Sequence, residues 1–217
     1  MRLDIWSDMV CPYCSIGNAE LERALADFEH RDDVQIRWRS FELDPDAPAD
    51  PQEDVVTKIA EKYGMSPEQS RAAQEKIGER SAGLGLPYDW AAARWGNTFD
   101  AHRVAHLADD RGVGHDVSGR LLRAYFSEGR QLSDHDTLTE LAGESGVDEA
   151  EVRAVLGSDA YAGAVRDDER MARELGITSV PTFVLAERFG VVGAQSADVL
   201  LDALRQAWAA THEVSAT

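Results

Sequence analysis

Cys11-Pro12-Tyr13-Cys14 holds both cysteines of the chain, two residues apart. Thiols at this spacing can close a tight disulfide, open it, and exchange it with another thiol. The thiolate is the nucleophile in that chemistry, so the question is which sulfur is helped to ionise. Ahead of the pair, Leu3-Asp4-Ile5-Trp6 reads as a short strand, and Ser7-Asp8-Met9-Val10 as a loop. Behind it, Cys14, Leu21, Leu25 and Phe28 recur at helical spacing. Pro12 suits a first helical turn, where its missing N–H costs nothing. Cys11 is therefore expected at a helix N-terminus, where free N–H groups and the helix dipole favour negative charge. It is the expected attacking sulfur. Cys14, one turn in on the apolar face, is the expected resolving sulfur. No Lys or Arg follows until Arg23, and Asp8 is expected to oppose the thiolate.

Other uses of the pair fit less well. A disulfide across so short a loop constrains little of the unfolded chain. Zinc would enlist His102 and His106, four apart on an expected helix, but a finger wants roughly 12–15 residues between its Cys and His pairs. The two histidines read first as polar or edge-of-core residues. Trp90 and Trp95 read as packing groups in a loop and a helix.

The elements around the pair set its context. At 217 residues the chain suits one large domain, or a small one carrying an insertion. Val34-Gln35-Ile36-Arg37-Trp38 is a second strand, making strand–helix–strand with parallel strands. Asp44 to Pro51 is an irregular connector. From about Gln52 to Ser158 the pattern is helix after helix. Ser66-Pro67 starts one, Thr98 caps another, Ser133 opens a third, and Leu84 to Asp89 is a loop. A helix over Tyr161 to Leu175 leads to a strand from Ile177 to Leu185 with Pro181 near its front edge. Glu187 to Gly190 forms a hairpin turn into Val191-Val192-Gly193. Ser196 caps a last helix, and residues from Thr211 to Thr217 are expected to fray. The fold class is α/β: residues 1–50 and 159–217 form the α/β domain and residues 51–158 a helical insertion.

Composition excludes some functions. The formal net charge is -18, from 40 acidic and 22 basic residues. That argues against nucleic acid and against anionic membrane surfaces. Only Lys58, Lys62 and Lys76 are lysines, a pattern that suits a high-salt cytoplasm or a plain compositional bias equally. No apolar run is long enough to span a membrane, and no charged-then-apolar leader precedes the first strand. The expectation is a cytoplasmic protein, where a CxxC is catalytic more often than structural.

Taken in order, Ser7-Asp8-Met9-Val10-Cys11-Pro12-Tyr13-Cys14, Arg37 to Pro45, Asn97 to Arg103, Val180-Pro181-Thr182-Phe183 and Gly193-Ala194-Gln195 resemble the DsbA family of thiol–disulfide oxidoreductases. Within it they most resemble the FrnE-like subgroup. The resemblance implies a thioredoxin-like fold with a helical insertion, a cis bond before Pro181, and a Val180 backbone that pairs with an extended substrate. It implies Cys11 and Cys14 as the catalytic pair, flanked by Pro12 and Tyr13. Partners would be protein or peptide thiols and disulfides, or small thiols. No cofactor or metal is required, and glutathione is a candidate co-substrate. Tyr13 departs from the subgroup, which usually has Trp there; Cys-Pro-Tyr-Cys is also the glutaredoxin sequence. A related glutathione-dependent enzyme, 2-hydroxychromene-2-carboxylate isomerase, has Ser where Cys11 stands. A glutathione-dependent transferase or isomerase, and a redox-sensing interaction protein, are the alternatives. The apolar helical block offers a face for a homodimer.

Overall fold

A computed structural model of the chain describes residues 1–212. Of the residues expected to fray from Thr211 on, Thr211 and His212 are helical, and the rest lie outside the described residues. Among them, β1 (Arg2–Ser7), β2 (Gln35–Ser40), β3 (Thr182–Leu185) and β4 (Phe189–Val192) form one mixed sheet in the order β2-β1-β3-β4. β1 runs parallel to β2, from Arg2 opposite Gln35 to Ser7 opposite Ser40. It runs antiparallel to β3, with Ile5 opposite Phe183. As a central strand β1 is buried on both faces from Leu3 to Ser7. Its C-terminal end thus fixes both the start of the Cys loop, after Ser7, and the height of Pro181, next to Thr182 opposite Trp6.

The helix α1 (Pro12–Ala26) crosses from β1 towards β2, and α9 (Ala197–His212) packs beside it. Between β2 and β3 lie α2 (Val55–Tyr63), α3 (Pro67–Gly83), α4 (Phe99–Asp110), α5 (Gly114–Glu128), α6 (His135–Glu144), α7 (Glu149–Leu156) and α8 (Ala162–Glu174). α4, α5 and α8 contact β2, so the helical block closes one end of the sheet. One hydrophobic cluster runs through both parts, from Trp6 and Phe183 to Leu121, Tyr125 and Leu138. Each such side chain, fully buried, contributes about 1.5–3 kcal/mol.

Local chemistry sets the helix starts. Ser66 and Gln69 form a reciprocal capping box at α3. Asp54, Asp134 and Asp148 each accept backbone N–H groups at the starts of α2, α6 and α7, caps worth about 1 kcal/mol apiece.

Several expected boundaries move. Asp134, not Ser133, caps α6. The Thr98 side chain makes no cap bond; Asn97 Oδ1 instead accepts the Phe99 N–H at 2.9 Å. The third strand starts at Thr182 rather than Ile177, because the chain bends through Ser179 and Val180 into Pro181. β4 starts at Phe189, so the hairpin turn is Ala186 to Arg188, with Ala186 and Glu187 in the left-handed region at φ 51° and 59°. Trp95 is not helical: residues 84–98 form a connection without helix, in which the Trp95 Nε1–H donates to Asp44 at 2.9 Å.

Candidate active site

Cys11 is the N-cap of α1, with extended backbone at φ -90° and ψ 113°. Its N–H donates to the Asp8 carbonyl at 3.1 Å, which tightens the loop before the helix. Its own carbonyl accepts the Cys14 N–H at 2.9 Å. Pro12 occupies the first helical position, so the turn begins without an unpaired N–H there. Both cysteines are free thiols, 4% exposed for Cys11 and 2% for Cys14. Tyr13, between them, is 45% exposed and forms the outer lip.

Across the site the Val180–Pro181 peptide bond is cis. The Cys11 Sγ–H donates to the Val180 carbonyl oxygen at 3.6 Å, within the longer range of sulfur hydrogen bonds. The structure therefore brings together all six residues singled out from the sequence. Cys11, Pro12, Tyr13 and Cys14 come from the start of α1, and Val180 and Pro181 from the bend before β3.

Burial pushes the Cys14 thiol well up, and the neighbouring Cys11 sulfur adds to that. The Ser7 hydroxyl and the Asp8 N–H act in the other direction, favouring the Cys14 thiolate. The Asp8 carboxylate, expected to oppose the thiolate, turns inward. It is fully buried and accepts the Leu43 N–H at 2.7 Å. Its other oxygen faces His102 Nε2 at 3.6 Å.

His102 and His106 are both buried. His106 belongs to a second cluster: its Nε2 lies 3.1 Å from Ser40 Oγ and 3.2 Å from Asp168. Arg39 bridges Asp4 and Asp168, at 2.8 Å to each. Burial works to raise the Asp168 pKa, but His106, the Ser40 N–H and Arg39 outweigh it and hold the carboxyl below its usual range. Among the described residues, no three His, Cys, Asp or Glu side chains gather as a metal site.

Three contributors carry no pattern that the sequence makes visible. Gly17 faces Pro181 across the sheet–helix junction. Tyr88, from the connection after α3, sits near enough for charge on Cys11 and Tyr13 to add to burial in raising its pKa. Glu42 is buried, in contact with Arg166 and near enough to His102 to feel its charge. Glu42, Asp8 and His102 do fall within the stretches quoted above, and a Ser-Asp pair just before CxxC is the one available signal. A groove of about 500 Å³ beside α1 is lined by Ser15, Asn18, Glu22, His115 and Arg123, and neither cysteine faces it. No helix among the described residues is long and apolar enough to cross a membrane.

Comparison with known proteins agrees with this arrangement. The profile of the DSBA-like thioredoxin domain matches residues 2–205. The uncharacterized protein YwbO of Bacillus subtilis is 32% identical over 206 residues, covering 94% of this chain and 96% of that one. The crystal structure of a probable DsbA oxidoreductase from Streptomyces coelicolor superposes with a TM-score of 0.90 at 47% identity, covering 96% of this chain and 90% of that one. The cytosolic disulfide reductase DsbM of Pseudomonas aeruginosa, solved with GSH, shares the fold at 18% identity, with a TM-score of 0.63 and full coverage of both chains. A CxxC at a helix N-cap, a facing Val-Pro bend and a helical block between β2 and β3 thus sit in a chain that belongs to the family of DSBA-like thioredoxin domains.

Proposed function

We propose that this protein is a thiol–disulfide oxidoreductase that cycles a Cys11–Cys14 disulfide. The observation that carries this reading is the 3.6 Å approach of Cys11 Sγ to the Val180 carbonyl, at the N-cap of α1 with Cys14 buried behind it. A substrate disulfide is attacked by the Cys11 thiolate, one substrate sulfur leaves, and a mixed disulfide forms. Cys14 then attacks Cys11 and releases the second substrate sulfur. The reverse sequence oxidises a dithiol. The Val180 backbone aligns an extended substrate by strand addition, and Pro181 keeps that backbone opposite the sulfurs. Pro12 and Tyr13 set the helix start and the outer lip.

The substrates in this reading are protein or peptide disulfides or small thiols, with glutathione as a co-substrate and no resident cofactor. The protein works in the cytoplasm as a FrnE-like member of its family. Residues 1–50 and 159–217 carry the redox centre and residues 51–158 shape access to it. The net charge of -18 argues against nucleic acid as a partner.

The direction of electron flow follows from the reduction potential. Family-type potentials span roughly -270 to -120 mV, and about 30 mV is worth 1.4 kcal/mol. The test is a glutathione redox titration of the Cys pair, read by thiol trapping and mass spectrometry. A reversible intramolecular disulfide is expected. Failure to form one, or a disulfide that cellular dithiols cannot reduce, would overturn the reading.

A further inference from the structure

The Gly193-Ala194-Gln195 loop, between β4 and α9, abuts the bend that faces Cys11. The Gly193 N–H donates to the Pro181 carbonyl at 2.7 Å, with Gly193 in the left-handed region at φ 80°. Gln195 closes the loop on itself. Its N–H donates to the Gly193 carbonyl at 2.9 Å, and its side-chain amide donates to the Val192 carbonyl at 2.8 Å. The Ala194 carbonyl accepts from the guanidinium of Arg80, which stands on the last turn of α3 in the helical block.

A cation in a last helical turn is favoured by the helix dipole, but this side chain reaches away from its own helix to another segment. Other exposed arginines settle beside acids, as Arg111 does with Glu151 and Arg205 with Glu29. Arg80 is exposed and has no carboxylate within ion-pair distance among the described residues. A few other arginines share that freedom, but Arg80 is the one tied to the loop beside Pro181. From Cys11 Sγ the links run to Val180 and Pro181, then to Gly193 and Ala194, and so to Arg80. An extended substrate paired with Val180 advances about 3.3 Å per residue. A group one or two residues from its reacting cysteine therefore comes within reach of the guanidinium.

Electrostatics gives that cation a use. The chain carries a net charge of -18, and its field repels an anionic substrate. The attacking thiolate adds to the repulsion. A planar guanidinium takes a carboxylate through two parallel hydrogen bonds and offsets it locally. We propose that Arg80 is a specificity residue that holds a carboxylate lying within two residues of the substrate's reacting cysteine, so that the preferred substrates are anionic peptide disulfides. A C-terminal carboxylate and an acidic side chain supply the same chemistry. This rests on the oxidoreductase reading above and names its substrate class. The Cys11 thiolate attacks one peptide sulfur, the peptide S–S bond breaks, and the other peptide leaves with the electron pair and takes a proton from solvent. Cys14, its proton lost to solvent, then bonds to Cys11 Sγ and expels the second peptide as a thiolate. The two cysteines are oxidised and the two peptide sulfurs reduced.

The probes are the symmetric disulfides of three acetylated tripeptides: Ala-Cys-Gly with a free C-terminal carboxylate, the same peptide as its C-terminal amide, and Ala-Cys-Asp amide. Each is mixed with reduced full-length protein, as wild type, Arg80→Gln or Arg80→Lys. Loss of protein thiols is followed by acid quench, thiol trapping and mass spectrometry. Wild type is expected to react about tenfold faster with at least one acidic peptide than with the neutral amide, and the gap narrows as salt is added. Arg80→Gln loses that preference while keeping the wild-type rate on the neutral amide, which also reports that it is folded. Arg80→Lys, with the charge but not the fork, restores part of it. Whichever acidic peptide gains identifies the source of the carboxylate. Equal wild-type rates on acidic and neutral peptides, or a preference that survives Arg80→Gln, overturn the role of Arg80 alone. A loss shared equally by all three peptides does the same and leaves Arg80 as a structural tie to Ala194. Failure of wild type to react with any of the disulfides overturns the oxidoreductase reading, and the role of Arg80 with it.

Discussion

Pro181 lies so close to Gly17 of α1 that a methyl group on Gly17 would stand 2.8 Å from the Pro181 Cγ. The same methyl would meet the Phe183 ring at 3.3 Å. α1 can therefore carry Cys11 up to the Val180–Pro181 bend only because this residue has no side chain. Gly17→Ala is expected to destabilise the fold by about 1–3 kcal/mol through overpacking. It should also lower disulfide turnover by more than the loss of folded protein explains. Denaturant unfolding set beside the turnover rate checks this, and unchanged turnover per folded molecule would refute the positioning role.

The roles of the two sulfurs separate by substitution. Cys14→Ser should trap the mixed disulfide on Cys11, visible by mass after incubation with oxidised glutathione, and turnover should fall by about two orders of magnitude. Cys11→Ser should abolish adduct formation altogether. A glutathione-dependent transferase or isomerase using the same pocket would instead keep its activity in Cys14→Ser.

The Asp168 cluster is expected to give the fold an acid limit. Its folded pKa is depressed, so its stabilisation is present above the unfolded aspartate value of about 3.9 and is lost as pH falls through the folded value. Asp168→Asn leaves Arg39 and His106 short of a buried partner and should cost about 3–5 kcal/mol at neutral pH. It should also flatten the stability profile below about pH 4. A profile as steep as wild type's would show that other carboxylates set the limit.

Glu42 works with the opposite sign. Burial first, and its hydrogen bond with Glu169 next, push its pKa up to about 7. The folded state thus holds this proton more tightly than the unfolded chain, and stability falls as pH rises from about 4.3, the free glutamate value, through 7. Glu42→Gln, neutral at every pH, should gain on wild type between pH 5 and 8 by on the order of 1–3 kcal/mol. Urea midpoints at the two pH values measure it; a constant gap would mean that Glu42 does not titrate in that window.

The legible part of the fold was whatever repeats or punctuates locally. β1, α1 and β2 follow from short-range periodicity, and Pro67 behind Ser66 marks α3 without help from the rest of the chain. Adjacent capping candidates were not resolvable in this way. Ser133 and Asp134 have nearly equal intrinsic claims, and packing of Leu138 and Leu141 into the core fixes the rotation of α6 that makes Asp134 the cap. Ile177 to Val180 has the composition of a strand, yet only Thr182 onward finds β1 as a partner. The polar groups behind the cysteines were hidden for the same reason: Asp8, Glu42 and His102 are distant in sequence and meet only once α4 packs on β2.

By itself the sequence determined the chemistry on offer. Two thiols one helical turn apart, a proline at the first helical position and a strong acidic bias are properties of residue type and spacing, and they need no long-range contact to be stated. Tertiary structure alone decided what stands across from those thiols and behind them. The Val180 carbonyl reaches Cys11 across 169 residues of chain, because β3 pairs with β1 and Gly17 lets the bend approach α1. Such contacts depend on how elements dock, and docking is set by the summed burial of the core rather than by any local pattern.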